Sequence, residues 1–364
     1  MKINLGELKV SDQQREIINN ILDSGRITEG PYSRQFEEEF AKYTGVKHCI
    51  VCTNGTAGLM LVLQVLRNLA DKPMTFLVPA LTFPATLNAV ILTGHNAVLC
   101  DVGEDLQIDV DEKTIVEKNI DGIIPVHLMG YPCNMDRILE LKERYGLFVI
   151  EDACESFGSS FNGKKVGSFG NCGVFSGYAS HTVGVGEFGC ITTDNDELAT
   201  MIHSLKNHGR VGSSLKFEHK YVGYNSKTTE FMSGMALSEL RRITEIISRR
   251  QSVAKRYVDN IKNVNLFPFP FSPDCSYLGF PIKAITKDYR DKVINKLTNE
   301  GIETREMFPC LANQEAYHLM FDQGVLNLKL PVSQDSERRC FYIPCHQYLT
   351  DKQVDNIIAV INND

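Results

Sequence analysis

Long apolar runs are missing from this sequence of 364 residues. No stretch approaches the roughly 20 apolar residues that a helix needs to cross a bilayer. The N-terminal segment, residues 1–22, is polar and amphipathic and lacks the apolar region of a secretory signal. We therefore expect a cytoplasmic protein without a membrane partner.

An excess of positive charge is also missing. The 38 lysines and arginines are outnumbered by 45 acidic residues, which gives a formal net charge of −7. Proteins that bind nucleic acid neutralise its phosphates with clustered basic side chains. The charge balance therefore argues against nucleic acid as a partner.

The eleven cysteines lack a regular arrangement. Many lie inside apolar runs, such as HCIVC at 48–52 and VLCDV at 98–102. Cysteines in such runs are typical of buried, reduced thiols in a cytosolic protein. We expect neither an iron–sulfur cluster nor another metal site.

Composition and length predict a globular enzyme with two domains. Hydrophobic residues make up 43% of the chain and charged residues 23%, as in ordinary soluble domains. The chain is longer than a single core usually supports. We assign residues 1–250, with the N-terminal segment, to a large α/β domain and residues 251–364 to a small α+β domain. A proline-rich stretch at 263–276 marks the change in sequence pattern between the two domains.

Apolar runs alternate with helical patterns through the first part of the chain, which predicts a mostly parallel sheet. The expected helices include 57–70 and 135–146. The expected strands are 48–53, 74–79, 97–102, 122–128, 147–152, 172–177 and 190–194.

The loop GYASHTVGVGEFGC at 177–190 contains the spacing G-x-G-x-x-G in Gly184, Gly186 and Gly189. In a dinucleotide-binding fold this motif closes a strand and opens a helix. Here the glycines lead into CITTD, which has the pattern of a strand. We therefore reject a dinucleotide site and expect a different role for this loop.

Three motifs carry candidate chemistry. TNGTAG at 53–58 would place free backbone N–H groups at a helix N-terminus, which suits a phosphate, although a plain strand–helix turn fits equally well. Asp152 ends an apolar strand, where it could pair with the protonated ring nitrogen of a pyridine cofactor or cap a helix. Phe83 follows another strand, where it could serve as a platform on which a ring stacks or could pack in the core.

The order of motifs resembles the sugar aminotransferases of the DegT/DnrJ/EryC1/StrS type. This resemblance covers nearly the whole chain and implies the fold type I architecture of aspartate aminotransferase, pyridoxal phosphate (PLP), a homodimer and a nucleotide-linked keto sugar as substrate. The motifs are TNGTAG, ALTFPAT, HLMGYPCNMD at 127–136, EDACESFGSSFNGKKVGSFG at 151–170, GYNSKTTEF at 223–231 and GIETREMFP at 301–309.

The resemblance also implies roles for single residues. The residues it assigns to the cofactor are Gly55, Thr56 and Ser176 for the phosphate, Phe83 for stacking on the ring, Asp152 for the pyridine nitrogen, Glu155 for the 3-hydroxyl, and Asn225 for the phosphate of the neighbouring subunit.

One departure from the family pattern concerns position 181, where the family carries its lysine and this chain carries His181. An imidazole cannot form the Schiff base that a primary amine forms with an aldehyde. The cofactor should therefore be bound without a covalent link.

The exchange resembles the nucleotide-sugar 3-dehydratases of the family, which work from pyridoxamine phosphate (PMP). The leading hypothesis is C3 deoxygenation of a 4-keto-6-deoxy sugar, with His181 as acid and base and with PMP regenerated from glutamate. The alternatives are a nucleotide-sugar aminotransferase and a non-catalytic paralogue.

Overall fold

The computed structural model describes residues 2–70, 72–212, 216, 218–318 and 329–363. Its helices are α1 Asp12–Ser24, α2 Pro31–Thr44, α3 Gly55–Leu69, α4 Pro84–Leu92, α5 Glu112–Glu117, α6 Met135–Tyr145, α7 Asp196–Leu205, α8 Glu230–Arg241, α9 Ile243–Asn260, α10 Lys287–Asn299, α11 Glu315–His318, α12 Pro331–Arg339 and α13 Asp351–Asn362.

The strands alternate with these helices in the first part of the chain and cluster again near its end. They are β1 His48–Cys52, β2 Thr75–Pro79, β3 Asn96–Cys100, β4 Gly122–Ile123, β5 Phe148–Asp152, β6 Ser160–Phe161, β7 Lys164–Lys165, β8 Cys172–Ser176, β9 Gly189–Thr193, β10 Arg210–Val211, β11 Glu218–His219, β12 Leu266–Pro268, β13 Phe280–Ala284, β14 Arg305–Glu306 and β15 Cys340–Ile343.

Within the described residues, seven strands form the central sheet in the order β1-β9-β8-β5-β4-β2-β3. β2, β3, β4, β5 and β8 pair in parallel, whereas β9 runs antiparallel to both β8 and β1. The strands are nearly continuous apolar runs, as expected where helices cover both faces of a parallel sheet. The carboxyl ends of the parallel strands therefore meet along one edge.

A second sheet, with the order β12-β13-β15-β14, is antiparallel. Its core includes Phe280, Phe341 and Ile357, together with Tyr257 of α9 and Ile3 from the N-terminal segment. Helix α9 therefore contributes to the packing around this sheet. The boundary that we place after residue 250 falls inside α9, and the division into two domains stays a prediction.

The α/β class with a mostly parallel sheet is confirmed. Each of the seven strands expected for the central sheet is present, but β4 is shortened to Gly122–Ile123, and a 3₁₀ segment follows at Leu128–Gly130. Helices α3 and α6 match the expected segments. None of the described helices combines the length and the apolar character needed to span a bilayer.

All eleven cysteines are unpaired, and all but Cys154 are buried. Cys49 and Cys52 are spaced as C-x-x-C, but both lie within β1 in the interior of the protein. No group of three or more potential metal ligands occurs among the described residues.

Candidate active site at the carboxyl edge of the central sheet

The glycine-rich loop connects β8 to β9 as a closed hairpin. Ser176 and Gly189 pair in register at its base, and the amide of Gly177 donates to the Phe188 carbonyl over 2.7 Å. Phe188 is buried in an aromatic core. The glycines lead into a strand and not into a helix, as the sequence pattern predicts.

Gly189 brings this hairpin against the N-terminus of α3. A Cβ atom at Gly189 would lie 2.4 Å from the Asn54 carbonyl carbon and 2.9 Å from the Gly55 nitrogen. Such distances are too short for any side chain, so the contact requires glycine. The Asn54 side chain caps α3 by accepting from the Ala57 amide over 2.9 Å, which leaves the start of the helix ordered.

The predicted phosphate residues come together at this contact. A Cβ atom at Gly55 would lie 2.4 Å from Cys154 Sγ and 3.1 Å from Ser176 Cβ. Thr56 follows in the first turn of α3. The structure thus places Gly55, Thr56 and Ser176 around the positive end of a helix dipole, which is a suitable position for an anionic group.

Asp152 ends β5 at the same edge of the sheet, with 4% of its surface exposed. Its Oδ1 accepts from the Cys154 amide over 3.2 Å, and its Oδ2 accepts from Thr86 Oγ1 over 2.8 Å. Both partners are neutral, and burial raises the pKa of the Asp152 carboxyl group. A buried carboxylate with neutral partners is suited to a cationic ligand group.

Thr86 was missed by the sequence reasoning. It lies in α4, 1% exposed, one turn after Phe83, and its hydroxyl also lies 3.2 Å from Thr82 Oγ1. The quoted motif ALTFPAT already contained both threonines. A helical projection of that motif would place Thr86 on the same side as Thr82, toward the end of the neighbouring strand.

Glu155 lies in the turn after β5 and is 8% exposed. Its Oε2 accepts a hydrogen bond of 2.7 Å from the Met129 amide. Burial raises the pKa of Glu155 to about 8, and the nearby charge of Asp152 adds to the shift. The side chain is therefore largely protonated at neutral pH, so it can donate as well as accept a hydrogen bond.

Phe83 precedes α4 and is exposed to 58%, and its ring meets Phe308 edge-to-face at 5.9 Å. An aromatic ring with this exposure is not a core residue and offers a free face.

Asn225 is also exposed, and its backbone forms an antiparallel bridge with Asn207. Among the described contacts, no hydrogen bond joins Asn225 to Gly55, Thr56 or Ser176.

His181 lies in the β8–β9 hairpin and is partly buried. Its Nδ1 lies 3.0 Å from the Ser176 carbonyl oxygen. A carbonyl oxygen only accepts, so Nδ1 carries the proton and Nε2 is the unprotonated nitrogen of the neutral ring. Burial, aided by the positive charge of Arg250, lowers the pKa of His181 to about 4. The imidazole is therefore neutral near pH 7.

The amino-acid sequence matches the model of the DegT/DnrJ/EryC1/StrS aminotransferase family over residues 9–362. The chain belongs to this family. Among curated relatives, it is 31% identical to the GDP-perosamine synthase of Escherichia coli O157:H7, with 97% of this chain and 96% of that protein covered. It is 28% identical to the Vibrio cholerae enzyme of the same name, with 98% and 97% covered.

Solved structures of the family have the same fold. The Helicobacter pylori aminotransferase PseC of pseudoaminic acid biosynthesis superposes with a TM-score of 0.94 at 23% identity, covering 100% of this chain and 99% of that one. A Streptococcus pneumoniae sugar aminotransferase in its PLP form gives 0.90 at 22%, covering 100% and 98%. A GDP-4-keto-6-deoxymannose-3-dehydratase variant gives 0.88 at 24%, covering 99% and 100%.

These findings confirm the family resemblance and the fold type I architecture. The family's members use a PLP-type cofactor and modify sugars, so the chain is a member of an enzyme family with that chemistry. The names of the curated relatives support the aminotransferase alternative better than the 3-dehydratase hypothesis.

Proposed function

We propose that this protein is a PLP/PMP-dependent enzyme acting on a nucleotide-linked 4-keto-6-deoxy sugar, and that its reaction is removal of the C3 hydroxyl group. The observation that carries the proposal is the neutral imidazole of His181 at the position where the family pattern has lysine. Imidazole can move protons but cannot form a Schiff base. The cofactor is then bound without a covalent link.

The residues around position 181 suit such a cofactor. Gly55, Thr56 and Ser176 would hold its phosphate at the start of α3, and Phe83 would cover one face of the ring. When bound, PLP or PMP would supply the amine or aldehyde group and an electron sink. Asn225 of the partner subunit would complete the phosphate site in a homodimer.

The two carboxyl groups would have different tasks. Asp152, held from both sides by Thr86 and the Cys154 amide, would keep a negative charge beside a protonated ring nitrogen. Glu155 would present a proton to the ring oxygen, since its own pKa is about 8. Burial raises the pKa of both groups, and a protonated ring nitrogen beside Asp152 would favour its ionised form.

In the proposed reaction His181 Nε2 accepts a proton and later returns it. The C3 hydroxyl group leaves as water, and hydrolysis, which takes up an equal amount of water, releases the product ketone and ammonia. Glutamate supplies the two electrons as it is oxidised to 2-oxoglutarate. The net change converts the sugar and glutamate into a 3-deoxy-4-keto sugar, 2-oxoglutarate and ammonia.

Amino transfer to the sugar is the second candidate. The GDP-perosamine synthases at 28% and 31% identity favour it, because they match nearly the entire chain. In this case His181 would shuttle the proton that the family's lysine otherwise moves, and the nitrogen of glutamate would remain on the sugar.

One incubation separates the candidates. The protein is mixed with PMP, glutamate and a panel of GDP-, CDP-, dTDP- and UDP-linked 4-keto-6-deoxy sugars, and the products are examined by mass spectrometry. A deoxy sugar with free ammonia supports dehydration, whereas an amino sugar without ammonia supports amino transfer. Absence of turnover with the whole panel would favour a non-catalytic paralogue.

A further inference from the structure

A buried arginine lies directly behind the hairpin that carries His181. Arg250 of α9 is 1% exposed, and it occupies a position on the apolar face of the helix between Ile246 and Val253. An arginine side chain is almost never fully buried unless it is paired with a negative charge.

All hydrogen-bond acceptors described for the Arg250 guanidinium are neutral oxygens. Nε donates to Gln347 Oε1 over 3.0 Å. Nη1 donates to the Tyr277 carbonyl over 2.6 Å and to the Leu278 carbonyl over 3.3 Å. Nη2 donates to the His181 carbonyl over 3.2 Å. The guanidinium thus joins the active-site hairpin to residues around the second sheet.

The positive charge of Arg250 is not neutralised within this cluster. The titratable groups around it are Cys345, Tyr348, Glu239 and Cys275, together with the imidazoles of His346 and His181, whose pKa values its charge lowers. Glu239, the one carboxyl group among them, lies within 3.5 Å of Arg242 and accepts from Gln14. Burial lowers the pKa of the Arg250 guanidinium to about 10, so the group stays charged at neutral pH, in a region of low dielectric constant where electrostatic interactions are strong.

We propose that Arg250 is a positioning residue for His181, which fixes the His181 carbonyl and holds an uncompensated positive charge beside the imidazole. The inference rests on the proposed role of His181 as a proton carrier. His181 faces Arg250 from α9, the Tyr178 ring at 5.7 Å and the carbonyl groups of Ser176 and Cys154. The carbonyls favour a protonated imidazole, whereas burial in the first place and the charge of Arg250 in addition favour the neutral base.

Two variants separate the charge of Arg250 from its hydrogen bonds. Gln347→Glu is nearly isosteric and keeps the acceptor for Nε, but it places a carboxylate against the guanidinium. Arg250→Lys keeps the charge but loses the planar set of donors that reaches three backbone carbonyls. The surface neighbour Arg249, which already pairs with Asp351, supplies the matched control Arg249→Met.

The readout is the pKa of His181 in the cofactor-free protein, followed by NMR of labelled histidine and assigned by its loss in His181→Asn. Gln347→Glu should raise this pKa by about one unit, because a neighbouring charge at an effective dielectric of about 20 has an effect of that order. Arg249→Met should leave it unchanged. An unchanged pKa in Gln347→Glu would overturn the electrostatic part of the proposal.

The positioning part is tested by hydrogen exchange. The His181 amide donates to the Tyr178 carbonyl over 2.8 Å, and Arg250→Lys should speed exchange at this amide by at least tenfold while the pKa of His181 stays low. Unchanged exchange would overturn the positioning role. Neither measurement requires turnover, so a failure here is distinct from a failure of the proposed reaction, which the incubation with keto sugars tests.

Discussion

The side chain at position 181 has two nitrogens with separate tasks. Nδ1 is committed to the Ser176 carbonyl, which fixes the tautomer, and the proposed function assigns proton exchange to Nε2. A lysine at this position would offer an amine with three donors and no acceptor in its charged form. The identity of this one residue therefore decides whether the cofactor can be attached covalently.

Replacing His181 by lysine should restore covalent attachment. Addition of PLP to His181→Lys should give an adduct that borohydride reduction fixes to residue 181, as seen by peptide mass spectrometry. Dehydration should fall by about 10²- to 10⁴-fold, since the acid–base contribution of the imidazole is lost. His181→Asn should lose the same activity without forming the adduct. A rate of dehydration near that of the wild type in either variant would mean that His181 is only a packing residue, which would contradict its proposed role as acid and base.

The protonation of Glu155 should be visible in the stability of the protein. Its pKa is about 8 in the folded state against an ordinary value of 4.5. Between these values the folded state binds more protons, so this group lowers the free energy of unfolding as the pH rises. Glu155→Gln keeps a side-chain oxygen that can accept from the Met129 amide and removes the carboxyl group that titrates.

The difference in unfolding free energy, variant minus wild type, should therefore grow with pH from about 4.5 to about 8 and then level off. Its total change should be on the order of a few kcal/mol. Urea denaturation at a series of pH values measures it. A difference that does not vary with pH would mean that Glu155 is ionised throughout.

The sequence was sufficient to locate site residues that follow strands. It was not sufficient to locate residues whose side chains reach the site from helices. Asp152 and Phe83 could be placed because parallel strands end at one edge of a sheet. Thr86 and Arg250 contact the site through side chains from helices, and such contacts depend on how far apart the elements pack. Arg250 nevertheless left a signal, since it interrupts the apolar face of an otherwise amphipathic helix.

At the scale of elements, the start of α3 is fitted tightly against the turn after β5. Gly55→Ala would place a methyl group 2.4 Å from Cys154 Sγ. Overpacking of this kind costs about 1–3 kcal/mol of stability. The sulfur can be removed by Cys154→Ala, which makes the contact testable.

A double-mutant cycle in urea should show that Gly55→Ala is less destabilising in the Cys154→Ala background, by about 1 kcal/mol or more. The control is Gly163→Ala, where no atom lies within 4 Å and only the positive φ of 78° is strained. This substitution should cost about 1–2 kcal/mol in either background. Equal effects of Gly55→Ala in both backgrounds would contradict the tight fit.

The elements themselves were largely predictable. Mostly apolar segments such as β5 and β8 and the strong apolar face of α3 identify buried strands and a covering helix. The sequence did not reveal that β9 inserts between β1 and β8, because strand order depends on contacts between distant segments. It also overestimated the length of β4, after which residues 124–127 still hydrogen-bond to β2 and β5 but do not form a regular strand.

At the scale of the whole molecule, the exposed Asn225 suggests an incomplete site in a single chain. If Asn225 reaches the cofactor phosphate of a partner subunit, Asn225→Ala should weaken PMP binding by about tenfold or more, as expected for one hydrogen bond to a charged group. Its effect on stability should stay within about 0.5 kcal/mol, since the residue is exposed. Calorimetric titration with PMP measures the first quantity and urea denaturation the second.

The same hypothesis predicts that PMP affinity falls when the protein is diluted below its dimer dissociation constant. Light scattering coupled to size-exclusion chromatography identifies that range of concentration. Equal PMP affinity in monomer and dimer, or an unchanged affinity in Asn225→Ala, would contradict the role of Asn225.

The hairpin between β8 and β9 has a broader consequence for how this scaffold can diverge. Its base is fixed by the Ser176–Gly189 pair and its interior by the buried Phe188, and the side chain at position 181 adds one contact, from His181 Nδ1 to the Ser176 carbonyl, so most contacts that hold the backbone do not involve this side chain. A new reaction type could therefore arise through a single codon without an intermediate that fails to fold. Saturation mutagenesis at position 181 should yield a library of folded proteins with divergent activities, which makes this hairpin a practical entry point for engineering new sugar chemistry.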